Sequence, residues 1–361
     1  PDATTEPTDI SSATVTLSQN SFTYTGTEQK PTVTVTLGDK TLTEDTDYTV
    51  SFSGDTTNAG TVTVTIKGTG NYTGEATNKP SYTINKATPT LTWSEGSQTL
   101  PYTGSPADIT APTVNLVNNE TYSGDITYQY KAQDGATFTD GLPTDVGTYT
   151  VKASIAAQDN YTAASGELTL TIEKAAATGT ASAVAGLTYN GQAQNLVTAG
   201  AVTGGTMQYS TEQDGTYSTE IPTGTNAKTY TVWYKVVGDT NHSDSTPASV
   251  EVTIAQLPVK LTWSNTSFTY DGNEHSVTAT ITNKAENDNV TLIYTDNSKT
   301  DKGNYTATVT GLSGEDADNY TLTDAENTTQ AWSIVGASIA NAEVTLSETS
   351  FTYNGSEQKP T

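Results

Sequence analysis

Ser21-Phe22-Thr23-Tyr24-Thr25-Gly26-Thr27-Glu28-Gln29-Lys30-Pro31-Thr32 returns at the far end of the chain as Ser350-Phe351-Thr352-Tyr353-Asn354-Gly355-Ser356-Glu357-Gln358-Lys359-Pro360-Thr361. Residues 13–32 and 342–361 agree at 15 of 20 positions. Looser copies of the Tyr-x-Gly centre lie between. The motif stands at Tyr24 and Gly26, Tyr102 and Gly104, Tyr189 and Gly191, Tyr270 and Gly272, and Tyr353 and Gly355. Its tyrosines are 78, 87, 81 and 83 residues apart. Self-similarity at a nearly fixed period marks an array of small units, not one large domain.

Three further landmarks keep the same order in every repeat. A turn comes first: Asn58-Ala59-Gly60-Thr61, Asp145-Val146-Gly147-Thr148, Asn226-Ala227-Lys228-Thr229 and Asp301-Lys302-Gly303-Asn304. Asn71-Tyr72, Asn160-Tyr161, Asn241-His242 and Asn319-Tyr320 follow. A strand ending in Ile84, Ile172, Ile254 or Ile334 closes each repeat. This gives a linker over 1–8, modules over 9–86, 87–174, 175–256 and 257–336, and the first hairpin of a fifth over 337–361. In the first repeat, residues 13–17, 21–24, 32–37, 47–52, 61–67 and 81–85 alternate with the period of two that puts one face of a strand inside. Thr, Val, Tyr and Ile fill these runs, and Gly, Asn, Asp and Pro punctuate them. The expected fold is all-β, a tandem array of small sandwich (immunoglobulin-like) or β-grasp-like modules. The short Pro- and Ala-containing junctions suggest an elongated, semi-rigid rod.

Composition sets the boundaries. Only 33% of residues are hydrophobic, which suits several small cores better than one large one. The formal net charge is −25, and every basic residue is Lys. An acidic chain without a guanidinium is a poor match for nucleic acid, and it is repelled by an anionic membrane surface. With no cysteine, disulfides, thiolate metal sites and a Cys nucleophile are excluded together. No apolar run reaches the ~20 residues of a membrane-spanning helix, so no membrane insertion is expected within this segment.

Together the landmarks resemble bacterial surface repeats of the mostly-beta-grasp (MBG) and YDG type. The residues carrying the resemblance are Tyr189-Asn190-Gly191, Tyr270-Asp271-Gly272, the turn Asp145-Val146-Gly147-Thr148-Tyr149, Asn160-Tyr161, and Thr171-Ile172-Glu173-Lys174-Ala175. Lys228 and His242 depart from the pattern. The resemblance implies a tandem stalk in a large adhesin-like protein of the bacterial envelope, located at the cell surface or outside it, with no catalytic residues and no cofactor.

Each chemical candidate has a structural counterpart. Tyr-x-Gly is expected to be a hairpin turn of type I′, with the tyrosine packed across the strands. His242 stands where other repeats have Tyr, and His275 where the first has Gln29; both are expected to serve packing. The acidic loops around Asp45 and Asp47, and around Asp316 and Asp318, have Ca²⁺-compatible oxygens but no EF-hand spacing, and are expected to be solvated turns. Lys30 and Lys359 are candidates for isopeptide cross-links if buried beside Asn or Asp. Trp93, Trp233 and Trp263 are glycan-stacking candidates, with core or junction packing the expected role.

The sequence therefore indicates a non-enzymatic stalk segment. Its partners would be neighbouring modules of a longer parent chain. Recognition of a host glycan or protein, and fibre extension by strand exchange, are the alternatives.

Overall fold

The computed structural model describes residues 6–361. The expected linker therefore lies outside the described residues up to position 5. The chain forms two compact units. One comprises Pro1–Ala176 with Asp239–Ser243, the other Ala177–Gly238 with Asp244–Thr361.

In the first unit, two sheets face each other across the core of the first repeat. One pairs Thr14–Leu17 with Val33–Leu37 and then Lys40–Thr41. The other has the order Ser21–Thr23, Ser81–Asn85, Gly60–Gly68, Tyr48–Ser53. Alternation does the work that the sequence promised. Val62, Val64 and Ile66 point inward from one strand and Tyr82 and Ile84 from its neighbour, all essentially without exposure. Val15, Val33 and Val35 meet them from the other sheet.

The first strand is split between the sheets. Thr14–Leu17 runs antiparallel to Val33–Leu37, but Ser21–Thr23 has crossed over and runs parallel to the last strand, Ser81–Asn85. That arrangement is an immunoglobulin-like sandwich, and it settles the choice between the two expected topologies. Among the described residues the only helical segments are the 3₁₀ turns Val117–Asn119 and Ala317–Asn319.

Later repeats keep the plan. Ser97–Pro101 lies parallel to Ala164–Glu173, and Ser267–Thr269 parallel to Thr329–Val335. In the third repeat the parallel pairing shrinks to one bridge, Thr188 to Ala255.

Two expectations are corrected. The stretch 21–32 is not a hairpin, because its strand pairs with the distant end of the repeat and the chain then passes to the opposite sheet. A type I′ turn needs positive φ at both central residues. Here only the glycine has it, at +75° for Gly26 and +74° for Gly191, which is the pattern of a type II turn. The second correction concerns cores. Several small separate cores are expected, and the second and fourth repeats do have clusters of their own, around Leu168 and around Trp332, but the first repeat's core takes in Ala87 and Tyr161 of the second. In the other unit one core runs from Ala177 through Val259 and Leu261 to Tyr320.

Residues 337–361 form no strand. They keep the loop closures of their first-repeat counterparts: Ser347 N–H donates to the Thr361 carbonyl at 3.1 Å, as Ser18 N–H does to that of Thr32 at 2.9 Å.

Candidate functional site

Some landmark residues border open surface hollows: Asn160 and Tyr161 with Glu120 line one, and Val146, Gly147, Thr148 and Tyr149 line part of another. The landmark residues meet where one repeat joins the next.

Tyr-x-Gly follows the parallel strand, and the tyrosine N–H ties the start of each repeat to its end. Tyr24 donates to the Asn85 carbonyl (2.8 Å), Tyr102 to Glu173 (2.8 Å), Tyr189 to Ala255 (2.9 Å) and Tyr270 to Val335 (2.8 Å). The side chain is thereby held at the end from which the chain leaves. In the first unit the Tyr24 hydroxyl donates to Glu120 Oε1 at 2.6 Å. Tyr161, from the next repeat's Asn-Tyr landmark, donates to Glu120 Oε2 at 2.7 Å. The two rings meet edge to face at 5.5 Å. The second unit repeats the device. Tyr189 and Tyr320 both donate to Asp288 Oδ2, at 2.7 and 2.5 Å, with ring centroids 5.4 Å apart.

Tyr24, Tyr161, Tyr189 and Tyr320 are each at most 6% exposed, so their hydroxyls need partners, and a shared carboxylate satisfies two at once. The hydrogen bond to Glu120 raises the pKa of Tyr24. Burial, followed by the Glu120 and Asp288 contacts, raises Tyr161 and Tyr189 strongly. Burial and then Asp288 push Tyr320 up to about 12.

The motif glycine has two reasons to be glycine. Its φ is positive, and a Cβ on Gly26 would lie 2.9 Å from Asn118 Nδ2. On Gly191 it would lie 2.7 Å from the Ala285 Cβ. Both contacts are with the following repeat.

In the second, third and fourth repeats the asparagine of this landmark clasps the turn landmark of the repeat before it. Asn160 Oδ1 accepts from the Ala59 N–H (2.9 Å) while its amide donates to Asn58 (2.8 Å). Within the first unit, Asn241 does the same to Val146 and Asp145, both at 3.0 Å. Asn319 accepts from the Ala227 N–H at 2.8 Å.

The closing Lys-Ala motif completes the joint. Lys86 Nζ donates to the Gln158 carbonyl (2.6 Å), Lys174 Nζ to those of Asp239 and His242 (3.2 Å each), and Gln256 to that of Asp318 (2.8 Å). Ala87 and Tyr161 form a parallel bridge, and Ala175–Ala176 pairs with His242–Ser243.

His242 is a packing aromatic, edge-on to Tyr102 at 5.2 Å and anchored to Asp239 Oδ1 at 2.7 Å. The hydrogen bond from His242 lowers the pKa of Asp239. His275 stacks on Phe268 at 4.7 Å. Lys30 and Lys359 lie on the surface, paired with Glu28 and Glu357, outside the buried setting that an isopeptide bond needs. Trp93 and Trp263 donate their indole N–H to the Thr110 and Asn327 carbonyls. Trp233 sits mid-strand opposite Ser210 and Ser249.

Asp47 caps the Thr43 N–H within its own loop, and Asp316 accepts from the Asn289 N–H and so ties its loop to the one before Thr291–Thr295. Asp45 takes a positive φ of 62°, and Asp318 lies within the turn Ala317–Asn319. Among the described residues, no three or more His, Asp or Glu side chains gather as a metal site would require.

Sequence reading missed Glu120 and Asp288. They sit in loops of different length, yet each stands 18 residues after the motif tyrosine of its own repeat, Tyr102 and Tyr270. That shared spacing, and the need of two buried hydroxyls for an acceptor, were the available signals.

No protein-family model and no curated protein sequence matches the chain, so the resemblance to MBG repeats rests on the landmarks alone. Solved structures that match the chain loosely include the protocadherin GammaB4 extracellular domain (10% identity, 90% of this chain and 67% of that one, TM-score 0.26). Others are the ICAM-5 D1-D4 ectodomain fragment (11%, 90% and 100%, 0.28) and Sidekick-1 immunoglobulin domains 1-5 (10%, 92% and 78%, 0.22). Superpositions this loose define neither a family nor a function. No helix among the described residues is long and apolar enough to cross a membrane.

Proposed function

We infer that the chain is a structural spacer: a run of β modules from a bacterial surface or secreted adhesin-like protein of MBG type, holding a distal domain away from the envelope. One observation carries this reading. The residues that recur in every repeat converge on the joints, where they fix one repeat against the next.

The mechanism is mechanical. Two buried tyrosines sharing a carboxylate, an asparagine clasp and a lysine on the following loop resist bending and twisting together. Stability then becomes a sum over repeats and nearest-neighbour contacts.

Single-molecule distance measurements across labelled repeats 1 and 2 test the reading. Tyr24→Ala is expected to broaden the distance distribution while leaving each repeat folded. An unchanged distribution, together with glycan or protein binding that one loop substitution abolishes, would replace the spacer with an adhesin.

A second reading, strand exchange, has its own support. Val344, Leu346, Phe351 and Tyr353 are exposed at 82, 48, 41 and 92%. Their counterparts Val15, Leu17 and Tyr24 are buried in the first repeat. A chain ending at residue 336 that associates as strongly as the full chain would remove that reading.

A further inference from the structure

The second repeat lacks a side chain that its sisters use to close the motif. Five residues after the motif tyrosine stand Gln29, Gln194, His275 and Gln358, but Ala107 in the second repeat. The glutamines reach back over the Tyr-x-Gly loop. Gln29 Nε2 donates to the Thr23 carbonyl and to Thr25 Oγ1, both at 2.9 Å. Gln194 donates to the Thr188 carbonyl at 3.1 Å and Gln358 to that of Thr352 at 2.8 Å. His275 reaches Asp271 Oδ1 at 3.0 Å instead. The backbone confirms that the positions are equivalent. The Gln29 N–H donates to the Thr56 carbonyl and the Ala107 N–H to that of Pro143, each two residues before the turn landmark of its repeat. Gln194 and His275 pair with Gly224 and Lys299, which stand in the same relation to Asn226 and Asp301.

A methyl group in place of the carboxamide leaves space. A hollow of about 300 Å³ opens beside Ala107, which is itself only 9% exposed. Leu100, Pro106, Ala107 and Ile172 give it apolar walls. Both acceptors of the missing side chain remain on its lining. The Pro101 carbonyl, counterpart of that of Thr23, receives no side-chain donor among the described residues. Thr103 Oγ1, counterpart of that of Thr25, accepts only the Ser105 N–H among them, at a long 3.4 Å.

A second change accompanies the first. The next residue is Lys30, Asn195 or Ser276 in the other repeats and Asp108 here. Lys30 is paired with Glu28, whereas Asp108 lines the hollow and its carboxylate has no partner among the described residues. The polar groups of the opened site are thus a carbonyl, a hydroxyl and a carboxylate, which all accept. The filled site has the same bias: Gln29 Oε1 is buried there without a donor.

We propose that the second repeat binds an aliphatic primary ammonium group in this hollow. An ammonium carries three donors and no acceptor, which matches the Pro101 carbonyl, the Thr103 hydroxyl and the Asp108 carboxylate. Its alkyl stem lies along Leu100, Pro106 and Ile172, as such stems do on apolar surface. A neutral amide would leave the Asp108 charge unmatched, and an anionic ligand would be repelled by it. The guest closes from outside the loop that the other repeats close with their own glutamine. A lysine side chain of a partner protein and a free polyamine both present this chemistry. The site lies within one repeat, so it stands or falls independently of the spacer reading.

The test is titration of the full chain at physiological salt, by calorimetry and ligand-observed NMR, with pentane-1,5-diamine, Nα-acetyl-lysine methylamide and, as the uncharged control, pentan-1-ol. A chain of net charge −25 gathers cations loosely over its whole surface, so variants decide the matter. Ala107→Gln refills the hollow without changing the charge and is expected to weaken diamine binding by about tenfold or more. Asp108→Asn removes the charged acceptor and should weaken it about tenfold as well. Conversely, Gln194→Ala with Asn195→Asp should open the equivalent hollow in the third repeat and double the stoichiometry. Melting curves verify that each variant folds. Tighter binding of the lysine amide than of the diamine assigns the hollow to a partner's lysine, and the reverse order assigns it to a free polyamine. Diamine binding untouched by both Ala107→Gln and Asp108→Asn would overturn the proposal, and so would pentan-1-ol binding as tightly as the diamine.

Discussion

The same motif residue carries different energetic weight in different repeats, and the difference is visible at single atoms. Tyr189 is 4% exposed and donates to Asp288 at 2.7 Å. A hydrogen bond to a charged group contributes about 1.5–3 kcal/mol. Tyr189→Phe should therefore destabilise the second unit by about 2 kcal/mol, read from the urea midpoint. The Tyr102 hydroxyl has no hydrogen-bond partner among the described residues, and Tyr102→Phe should stay within about 0.5 kcal/mol of the parent. Equal losses at both positions would remove the carboxylate from the account.

These hydroxyls also predict alkaline sensitivity. The pKa of Tyr320 is raised from 10.0 to about 12 by burial and by the Asp288 contact, and those of Tyr24, Tyr161 and Tyr189 are raised as well. A folded-state value above the unfolded one means that the folded chain holds the proton more tightly. The stabilisation is complete below pH ~10 and is lost as the pH rises through about 12. Urea midpoints that stay level between pH 9 and 12 would contradict the assignment.

At the scale of elements, the joint is an interlock of loops and not an extension of either sheet. The Asn160 clasp makes two hydrogen bonds to the preceding repeat's turn, through Ala59 and Asn58. Residues in one hydrogen-bonded contact couple by about 0.5–3 kcal/mol. A double-mutant cycle on Asn58→Ala and Asn160→Ala should show coupling in that range; additive effects would mean that the two do not act together. Gly26→Ala tests the same joint from the other side. Its φ of +75° strains any L side chain, and the added Cβ meets Asn118. A Gly104→Ala change carries the backbone strain at +78° but meets only its own Tyr102 hydroxyl, at 3.8 Å. Gly26→Ala should therefore lower the melting temperature more than Gly104→Ala.

For the whole molecule, continuity of the cores decides how many cooperative blocks there are. The first repeat's core reaches Tyr161, and one core spans the third and fourth repeats. Partners that share buried apolar surface unfold together. Calorimetry is expected to resolve two transitions, one for each compact unit, where four independent repeats would give four or a broad envelope. Four separable transitions would show that the shared tyrosines do not couple their repeats.

Much of this was legible in the residues themselves. Alternation fixed the strands, because a pleated backbone puts every second side chain on one face whatever lies elsewhere. The expected 61–67 and 81–85 became Gly60–Gly68 and Ser81–Asn85. Repetition fixed the array, and the landmarks marked the residues that matter. Their meaning was not local. Tyr24-Thr25-Gly26 reads as a hairpin turn until its strand is seen to pair with Ser81–Asn85, some sixty residues further on. Glu120 shares with Asp288 its 18-residue spacing from a motif tyrosine, but that spacing names no partner, and Glu120 became a site only when folding brought two buried hydroxyls to the same carboxylate. Periodicity depends on neighbours in sequence, so the chain alone determines it. The joints depend on which side chains from separate repeats must satisfy one another away from water, and only the tertiary structure decides that.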